Sequence, residues 1–223
     1  MNEKTAIDYL PDLLAALGET GIMTGGSFVV VLVFGLAIGV LLRITAPDGP
    51  RPSAVVYQVV GVVVNAGRSL PFLILMIALI PVTRWIAGTA YGPAPAIVPL
   101  SVGAIPFYAR VVEAALREVS PGKVEAAQVM GATNAQIVWK VLLPESLPGL
   151  ISGATLTLVT LIGYSTFAGA LGGGGIGDFA IRVGYQRFIG SALLMALVAL
   201  IVLVQMVQSI GDAIVNRMSH RRG

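Results

Sequence analysis

Four long stretches of this chain contain no Asp, Glu, Lys or Arg. About 20 apolar residues in a helix cross the roughly 30 Å hydrocarbon core of a bilayer, where backbone polar groups must bond one another within helices or closed barrels. Since 56% of the 223 residues are hydrophobic and 11% are charged, we predict an all-α membrane protein. The charge-free stretches are 20–42, 85–109, 147–177 and 188–211.

A fifth span is predicted from about residue 69 to residue 87, around the apolar run SLPFLILMIALIPVT. This run is short, so Arg84 would have to extend its charge toward the headgroups to lengthen the span. The exact start of this span stays open. The five predicted spans are about 20–42, 69–87, 92–114, 147–170 and 188–211.

Residues 1–19 are predicted to form an interfacial segment outside the membrane. Acidic residues outnumber Lys4 here, whereas a cleaved signal peptide begins with a basic region, so the first span is expected to remain in the mature protein. A frayed tail is the alternative to a short amphipathic helix lying on the membrane surface. The helix is suggested by the spacing of Ile7, Leu10, Leu13, Leu14 and Leu17.

The distribution of Lys and Arg predicts the orientation, because cytoplasmic loops carry the excess of positive charge. With the N-terminus outside and the tail 213–223 in the cytoplasm, only Lys4, Arg84, Arg182 and Arg187 lie outside. No basic patch is interleaved with aromatic residues, so no nucleic-acid partner is predicted. The predicted cytoplasmic residues are Arg43, Arg51, Arg68, Arg110, Arg117, Lys123, Lys140, Arg217, Arg221 and Arg222.

Residues 120–148 are too polar to span a membrane and fall on the positive side. Ser120 precedes a proline, which predicts the cap and first position of a helix. Gly131 predicts the end of that helix in a left-handed conformation. The segment either docks into a groove of a partner or packs beneath its own bundle, and the sequence pattern alone leaves both open.

A second short helix should follow almost immediately. Thr133 and Gln136 have the T-x-x-Q spacing of a capping box. Ala135, Val138 and Leu142 then fall on one face, and Pro144 is expected to close the helix.

Several other patterns are assigned structural roles. Gly35 and Gly39 predict close helix packing, within the bundle or in a dimer. Gly172, Gly174 and Gly177 fit G-x-G-x-x-G but follow an apolar span, so they predict an outer turn and no dinucleotide site. No catalytic, cofactor-binding or metal-binding residues are predicted, and His220 is assigned to the basic tail.

Charges and prolines near the third span suggest a second set of roles. Arg110, Glu113 and Arg117 have helical spacing and predict a salt-bridged stripe, solvated at the headgroup level rather than gating. Prolines at membrane depth often bend a helix or line a path. Candidates for such helix-break or path positions are Pro99 and Pro106.

The polar segment carries a pattern of E-A-A, three residues, G, nine residues, an aliphatic residue, one residue and L-P. This pattern resembles the signature loop of ABC importer permeases, with Val141 at the aliphatic position. The resemblance implies a type I importer fold over 20–212, with two short cytoplasmic coupling helices in 121–143 that dock on an ATPase. The implied contact residues are Glu125, Ala126, Ala127, Val129, Met130, Gly131, Ala132, Thr133, Leu143 and Pro144.

Further segments narrow the resemblance to the small five-span permeases of methionine uptake systems. They are NAGRSLPF, AIVPLSVGAIPFYARVVEAAL, GATNAQIVWKVLLPESLPGL and LVTLIGYSTFAGALGGGGIG. Arg68 and Pro71 also resemble the R-x-x-P element of amino-acid permeases and join the candidate path positions.

The resemblance implies a permease subunit that imports an amino acid, most specifically methionine and its D-isomer, across the bacterial cytoplasmic (inner) membrane. The expected partners are a second copy of the chain, two ABC ATPase subunits that hold ATP and Mg²⁺, an extracytoplasmic substrate-binding lipoprotein that contacts outer loops including 169–177, and the lipid bilayer. Alternatives are an ABC permease for another amino acid or small solute, or a stand-alone secondary transporter. The latter would need inverted repeats or buried ion-coupling groups.

Overall fold

In the computed structural model, residues 6–219 are described, and no strand occurs among them. Sequence predictions about Lys4, His220, Arg221 and Arg222 lie outside the described residues. After a short 3₁₀ turn, Ala6–Tyr9, the helices are α1 Leu10–Thr45, α2 Ala54–Ser69, α3 Phe72–Ala78, α4 Ile80–Ala87, α5 Pro93–Arg117, α6 Pro121–Val129, α7 Asn134–Ile137, α8 Leu143–Ala168, α9 Gly175–Asp178 and α10 Gly190–Ser219. Some of these helices are joined by π-helical turns, which are Val138–Leu142, Gly169–Gly173 and Phe179–Tyr185.

Within residues 6–219, four helical stretches are long and apolar enough to cross a membrane. A fifth span is reached when α2 and α3, which flank a break, are counted as one broken span. The prediction of an all-α membrane protein with about five spans is therefore confirmed. The four continuous stretches are Leu10–Thr45, Pro93–Arg117, Asn134–Gly173 and Gly190–Met218.

The chain does not change direction between an interfacial segment and a first span. α1 runs for 36 residues from Leu10 to Thr45, so the predicted separate helix before residue 20 is wrong from Leu10 onward. Its acidic residue Glu19 has a partner within the protein, where its carboxylate accepts a backbone N–H from Gly175. Because this charge is bonded internally, the helix has no need to end at the charged positions.

The region around the second predicted span is organised differently from the prediction. Within the predicted span 69–87, residues 72–87 form two short helices, α3 and α4, separated at Leu79. The preceding α2, Ala54–Ser69, was not predicted at all. α2 ends before Pro71, which cannot donate a backbone hydrogen bond and disfavours a helical conformation at the residue before it.

The chain divides into two compact units. The first unit comprises the residues up to Val30, Leu70–Gly103 and Leu158–Ser209, and the second comprises Val31–Ser69, Ala104–Thr157 and the residues from Ile210 onward. Each unit has its own packed apolar residues, described in turn below.

The first unit buries the start of α1 against the chain around α9 and α10. Phe72 of α3 also stacks on Tyr164 of α8, with ring centroids 4.0 Å apart. Buried apolar contact of this kind favours helix association where side chains interlock closely. The core cluster consists of Tyr9, Leu13, Ala16, Ile176, Phe179, Val183, Ala192 and Ala196.

The second unit is held by close contact between α1 and α5. A Cβ atom placed on Gly35 would lie 2.8 Å from Tyr108 Cδ1, and one on Gly39 would lie 2.6 Å from the Ala109 carbonyl oxygen. These distances leave no room for a side chain. The Gly35 and Gly39 pair therefore packs within the bundle, as predicted from its spacing.

Candidate functional site

The candidate site is the segment that links α5 to α8 in the second unit. Its first helix, α6, begins at Pro121, and the preceding Ser120 has extended backbone angles. The start of the helix is where the sequence predicted it. The predicted side-chain cap is absent, because Ser120 makes no capping hydrogen bond through its hydroxyl, although its carbonyl accepts the Lys123 N–H at 3.1 Å.

The first helix ends in a tight corner at Gly131. This glycine has a φ of +80°, and its N–H donates to the Gln128 carbonyl at 2.9 Å. The next N–H, from Ala132, donates to the Ala127 carbonyl at 3.0 Å. These two bonds define a Schellman motif. Nothing lies within 4 Å of where a Cβ of Gly131 would be, so the backbone conformation, and not lack of space, requires glycine here.

The second helix begins with a complete capping box. Thr133 Oγ1 accepts the Gln136 N–H at 3.3 Å, and Gln136 Oε1 accepts the Thr133 N–H at 2.8 Å. Both bonds satisfy backbone donors that the first turn of a helix leaves free. Only Ala132 separates the left-handed corner from this cap, so the two short helices are held by local bonds at a short connection.

The second helix does not close at Pro144, contrary to the prediction. Residues Val138–Leu142 form a π-helical turn, in which the Leu143 N–H donates to the Val138 carbonyl. α8 then begins at Leu143 and continues through Pro144. The wider turn accommodates a proline that has no N–H and whose ring would crowd a regular preceding turn.

The corner exposes two large apolar side chains. Val129 is 89% exposed and Met130 is 81% exposed, at the end of a helix whose Val124 and Ala127 are buried. Exposed apolar groups clustered on a polar element are typical of interaction surfaces. We call Val129, Met130 and the exposed residues Glu125, Ala126, Gly131 and Thr133 the corner surface.

Not every predicted contact residue belongs to that surface. Ala127 is buried against its own chain, whereas the sequence prediction placed it among the small residues that a partner approaches. Ala132, Leu143 and Pro144 are partly buried. These four residues are therefore less accessible to a partner than the corner surface is.

An ion pair joins the two ends of the segment. Lys123 Nζ lies 2.8 Å from Glu145 Oε2, which connects the first turn of α6 to the first turn of α8. Both side chains are partly exposed, so the pair contributes little stability, about 0–1 kcal/mol.

A buried charge network ties α2 to α5 within the second unit. The carboxylate of Glu113 accepts hydrogen bonds from Arg110, from Arg117 at 3.0 Å and from the Tyr57 hydroxyl at 3.0 Å. Arg110 also donates to the Asn65 side chain at 3.0 Å. The predicted salt-bridged stripe is therefore present, but Glu113 is buried and is not solvated as predicted.

The four candidate path positions are spread over three parts of the chain, with two of them on α5. Arg68 is exposed in the last turn of α2, and Pro71 immediately precedes α3. Pro99 and Pro106 lie inside α5, which continues through both without interruption. Of the four, only Pro71 stands at a helix break, because α5 accommodates its prolines within one helix.

The glycine-rich turn of the first unit is more buried than an outer docking loop would be. Gly173, Gly175 and Gly177 are buried, whereas Gly172 is exposed. Gly172, Gly174 and Gly175 have positive φ angles, which explains the use of glycine. The turn leads into a four-residue helix, α9, and no strand precedes it in the described residues.

Residues 35–220 match the family described as binding-protein-dependent transport system inner membrane component. The chain belongs to this family. The membrane helices and the polar segment between α5 and α8 described above thus lie within a transport-system membrane component.

Relatives of this inner membrane component are similar over most of their length. A protein of Vibrio cholerae named probable D-methionine transport system permease protein is 52% identical over 94% of this chain and 93% of the relative. The methionine import system permease protein of Bacillus subtilis is 45% identical over 81% of this chain and 82% of the relative.

Solved structures agree with this membership. A chain from inward-facing conformations of the MetNI methionine ABC transporter is 46% identical, covers 97% of this chain and 99% of its own, and superposes with a TM-score of 0.93. A chain from an amino acid ABC transporter is 15% identical with a TM-score of 0.79, which shows a shared fold alone. The type I importer fold predicted from the signature loop is confirmed.

Two residues of the second unit, Trp139 and Tyr57, were not identified from the sequence as candidate functional residues. Trp139 is 71% exposed in the π-helical turn, and an aromatic residue in a polar, positively charged segment was an available signal. Tyr57 could not be found, because its partner Glu113 is far away in the sequence and α2 was not predicted.

Proposed function

We propose that this chain is the membrane permease subunit of an ATP-driven importer that carries methionine into the cytoplasm. The observation that carries the proposal is the 52% identity, over 94% of the chain, to a relative named as a D-methionine permease. Similarity that covers nearly all of both proteins favours a shared cargo, including both stereoisomers of methionine. No side chain identified above selects a thioether, so the cargo rests on this similarity.

The corner surface is the proposed docking site for an ATPase subunit. Val129 and Met130 offer exposed apolar area at one point, and the Schellman motif and capping box hold that point rigidly. A rigid apolar projection is suited to a groove, where buried anchors carry most of the binding energy. Glu125 lies exposed beside it and would bind a polar or basic group at the rim.

Two copies of the permease would form the transport path. Oligomers of identical chains usually adopt two-fold symmetry, and two such copies would give each of two ATPase subunits one corner surface. ATP and Mg²⁺ would bind the ATPase subunits, and closure of those subunits would move both corner surfaces and alternate the path between the two sides of the membrane. The permease contributes the path and the docking site.

The corner surface must face the cytoplasm, with the N-terminus outside, as the excess of Lys and Arg on that side suggests. An extracytoplasmic binding protein would deliver methionine to the opposite side. Since Ala170 and Gly172 are exposed within 169–177, these two positions are the part of the turn that such a protein would contact.

The experiment is uptake by the purified permease and ATPase in vesicles. Labelled methionine should accumulate only with ATP, and unlabelled L- or D-methionine should compete better than other amino acids. Accumulation without the ATPase would indicate a stand-alone transporter. Stronger competition by another amino acid would overturn the cargo while leaving the importer class intact.

A further inference from the structure

An open cavity of about 1020 Å³ lies in the second unit. One wall is the face of α1 that contains Val33, Leu36, Ala37 and Val40, at the spacing of one helix face. The opposite wall is formed by α7 and the π-helical turn, including Val138 and Trp139. We call this cavity the α1 groove.

Polarity is divided along the α1 groove. The α1 wall from Val33 to Leu41 contains only apolar residues, whereas the polar lining residues are grouped where α1 ends and α7 begins. A bilayer leaflet likewise changes from apolar hydrocarbon to polar headgroups. The polarity along the groove therefore matches the polarity across a leaflet. The polar lining residues are Thr45, Arg51, Ser53 and Asn134.

Arg51 supplies a positive charge at the polar end. The loop after α1 folds back, so that the Arg51 N–H donates to the Ile44 carbonyl at 3.1 Å and the Ser53 N–H donates to the Thr45 carbonyl at 3.0 Å. These bonds fix the backbone on both sides of the exposed arginine. Within residues 6–219 no carboxylate forms an ion pair with Arg51, in contrast to Arg43, which pairs with Asp48 at 3.7 Å.

Trp139 also faces this groove and is 71% exposed. Tryptophan is enriched at the boundary between hydrocarbon and headgroups, because its ring is apolar and its N–H needs a polar partner. The side chain therefore stands where a lipid would change from acyl chain to headgroup.

We propose that the α1 groove binds an anionic phospholipid. The acyl chain lies along the apolar face of α1, and the phosphate group pairs with Arg51. Basic pockets beside membrane helices are a recurrent mode of binding anionic headgroups, and the free guanidinium provides the charge complementarity that a zwitterionic lipid would match less well. The occupant is a lipid of the bilayer, and not a second copy of the chain or another subunit.

The test uses the fluorescence of Trp139. The chain has two tryptophans, so Trp85→Phe leaves Trp139 as the only reporter. This variant is reconstituted in phosphatidylcholine vesicles that contain a small fraction of either brominated phosphatidylglycerol or brominated phosphatidylcholine, because bromine quenches a nearby indole. We expect phosphatidylglycerol to quench several times more effectively at equal mole fraction.

Three further variants locate the effect. Arg51→Gln should remove the preference for phosphatidylglycerol, whereas Lys140→Gln should keep it, since Lys140 is exposed beside Trp139 but does not line the groove. Ala37→Phe, which fills the apolar end, should reduce quenching by both lipids.

Four results would overturn the proposal. Equal quenching by the two lipids would mean that Trp139 senses only bulk lipid. No quenching by either lipid would mean that protein covers the groove. A preference that survives Arg51→Gln, or that Lys140→Gln abolishes equally, would mean that the charge at the groove does not select the headgroup.

Discussion

The carboxylate of Glu19 accepts the backbone N–H of Gly175 at 2.6 Å, which joins α1 to the glycine-rich turn 156 residues later in the chain. The next residue repeats the pattern, since Thr20 Oγ1 accepts the Ile176 N–H at 2.9 Å. Gly174 and Gly175 both have positive φ angles. Two consecutive N–H groups of the glycine-rich turn are thus satisfied by two consecutive side chains of one helix.

Glu19→Ala should loosen the glycine-rich turn. A hydrogen bond to a charged group contributes about 1.5–3 kcal/mol, so the amides of Gly175 and Ile176 should exchange with deuterium roughly ten to a hundred times faster. Asp12→Ala is the matched control, because Asp12 is exposed on the same helix. Unchanged exchange at Gly175 in the Glu19 variant would show that the bond does not hold the turn.

Gly39→Ala should destabilise the bundle, whereas Gly18→Ala should not. A Cβ on Gly39 would lie 2.5 Å from the Val112 Cβ, while one on Gly18 would meet nothing within 4 Å. Overpacking of a tight contact costs about 1–3 kcal/mol, and alanine favours a helix over glycine by up to about 1 kcal/mol. The midpoint temperature of thermal unfolding in detergent should therefore fall for Gly39→Ala and rise for Gly18→Ala, although both positions lie on the same helix.

Glu113→Ala should be the most destabilising single change in the charge network. It removes the common acceptor of Arg110, Arg117 and Tyr57, and loss of one partner from a buried ion pair costs about 3–5 kcal/mol. Arg117→Gln should cost no more than about 1 kcal/mol, because that side chain is half exposed. If Glu113→Ala and Arg117→Gln lowered the midpoint temperature of thermal unfolding equally, burial of Glu113 would not govern the stability of the network.

Local features of this chain could be predicted where the bonds that create them lie within a few residues. The corner at Gly131 and the cap of Thr133 by Gln136 depend on bonds across at most five positions, and their residue types are restricted by backbone geometry. The charge-free stretches likewise specify most of the membrane helices, because burying a charge in hydrocarbon is unfavourable.

Features that depend on distant partners could not be predicted. α1 continues through Glu19, whose carboxylate accepts the N–H of the distant Gly175. Glu113 is buried where it accepts the hydroxyl of Tyr57, which lies on the unpredicted helix α2. Pro144 was expected to end a helix because proline usually does, but the preceding π-helical turn carries the chain past it. Such a turn has no spacing pattern comparable to a capping box.

Gly131→Ala should weaken ATPase binding although the position is open. A non-glycine residue in the left-handed region costs about 1–2 kcal/mol, so the corner that presents Val129 and Met130 would be displaced part of the time. Gly131→Asn should lose less, because asparagine tolerates this conformation. The matched control is Gly122→Ala, whose Cβ would meet nothing closer than 3.9 Å and whose φ is not positive. The amount of ATPase that co-purifies with tagged permease should be highest for Gly122→Ala, lower for Gly131→Asn and lowest for Gly131→Ala. Equal recovery with all three variants would show that the corner conformation does not position the docking surface.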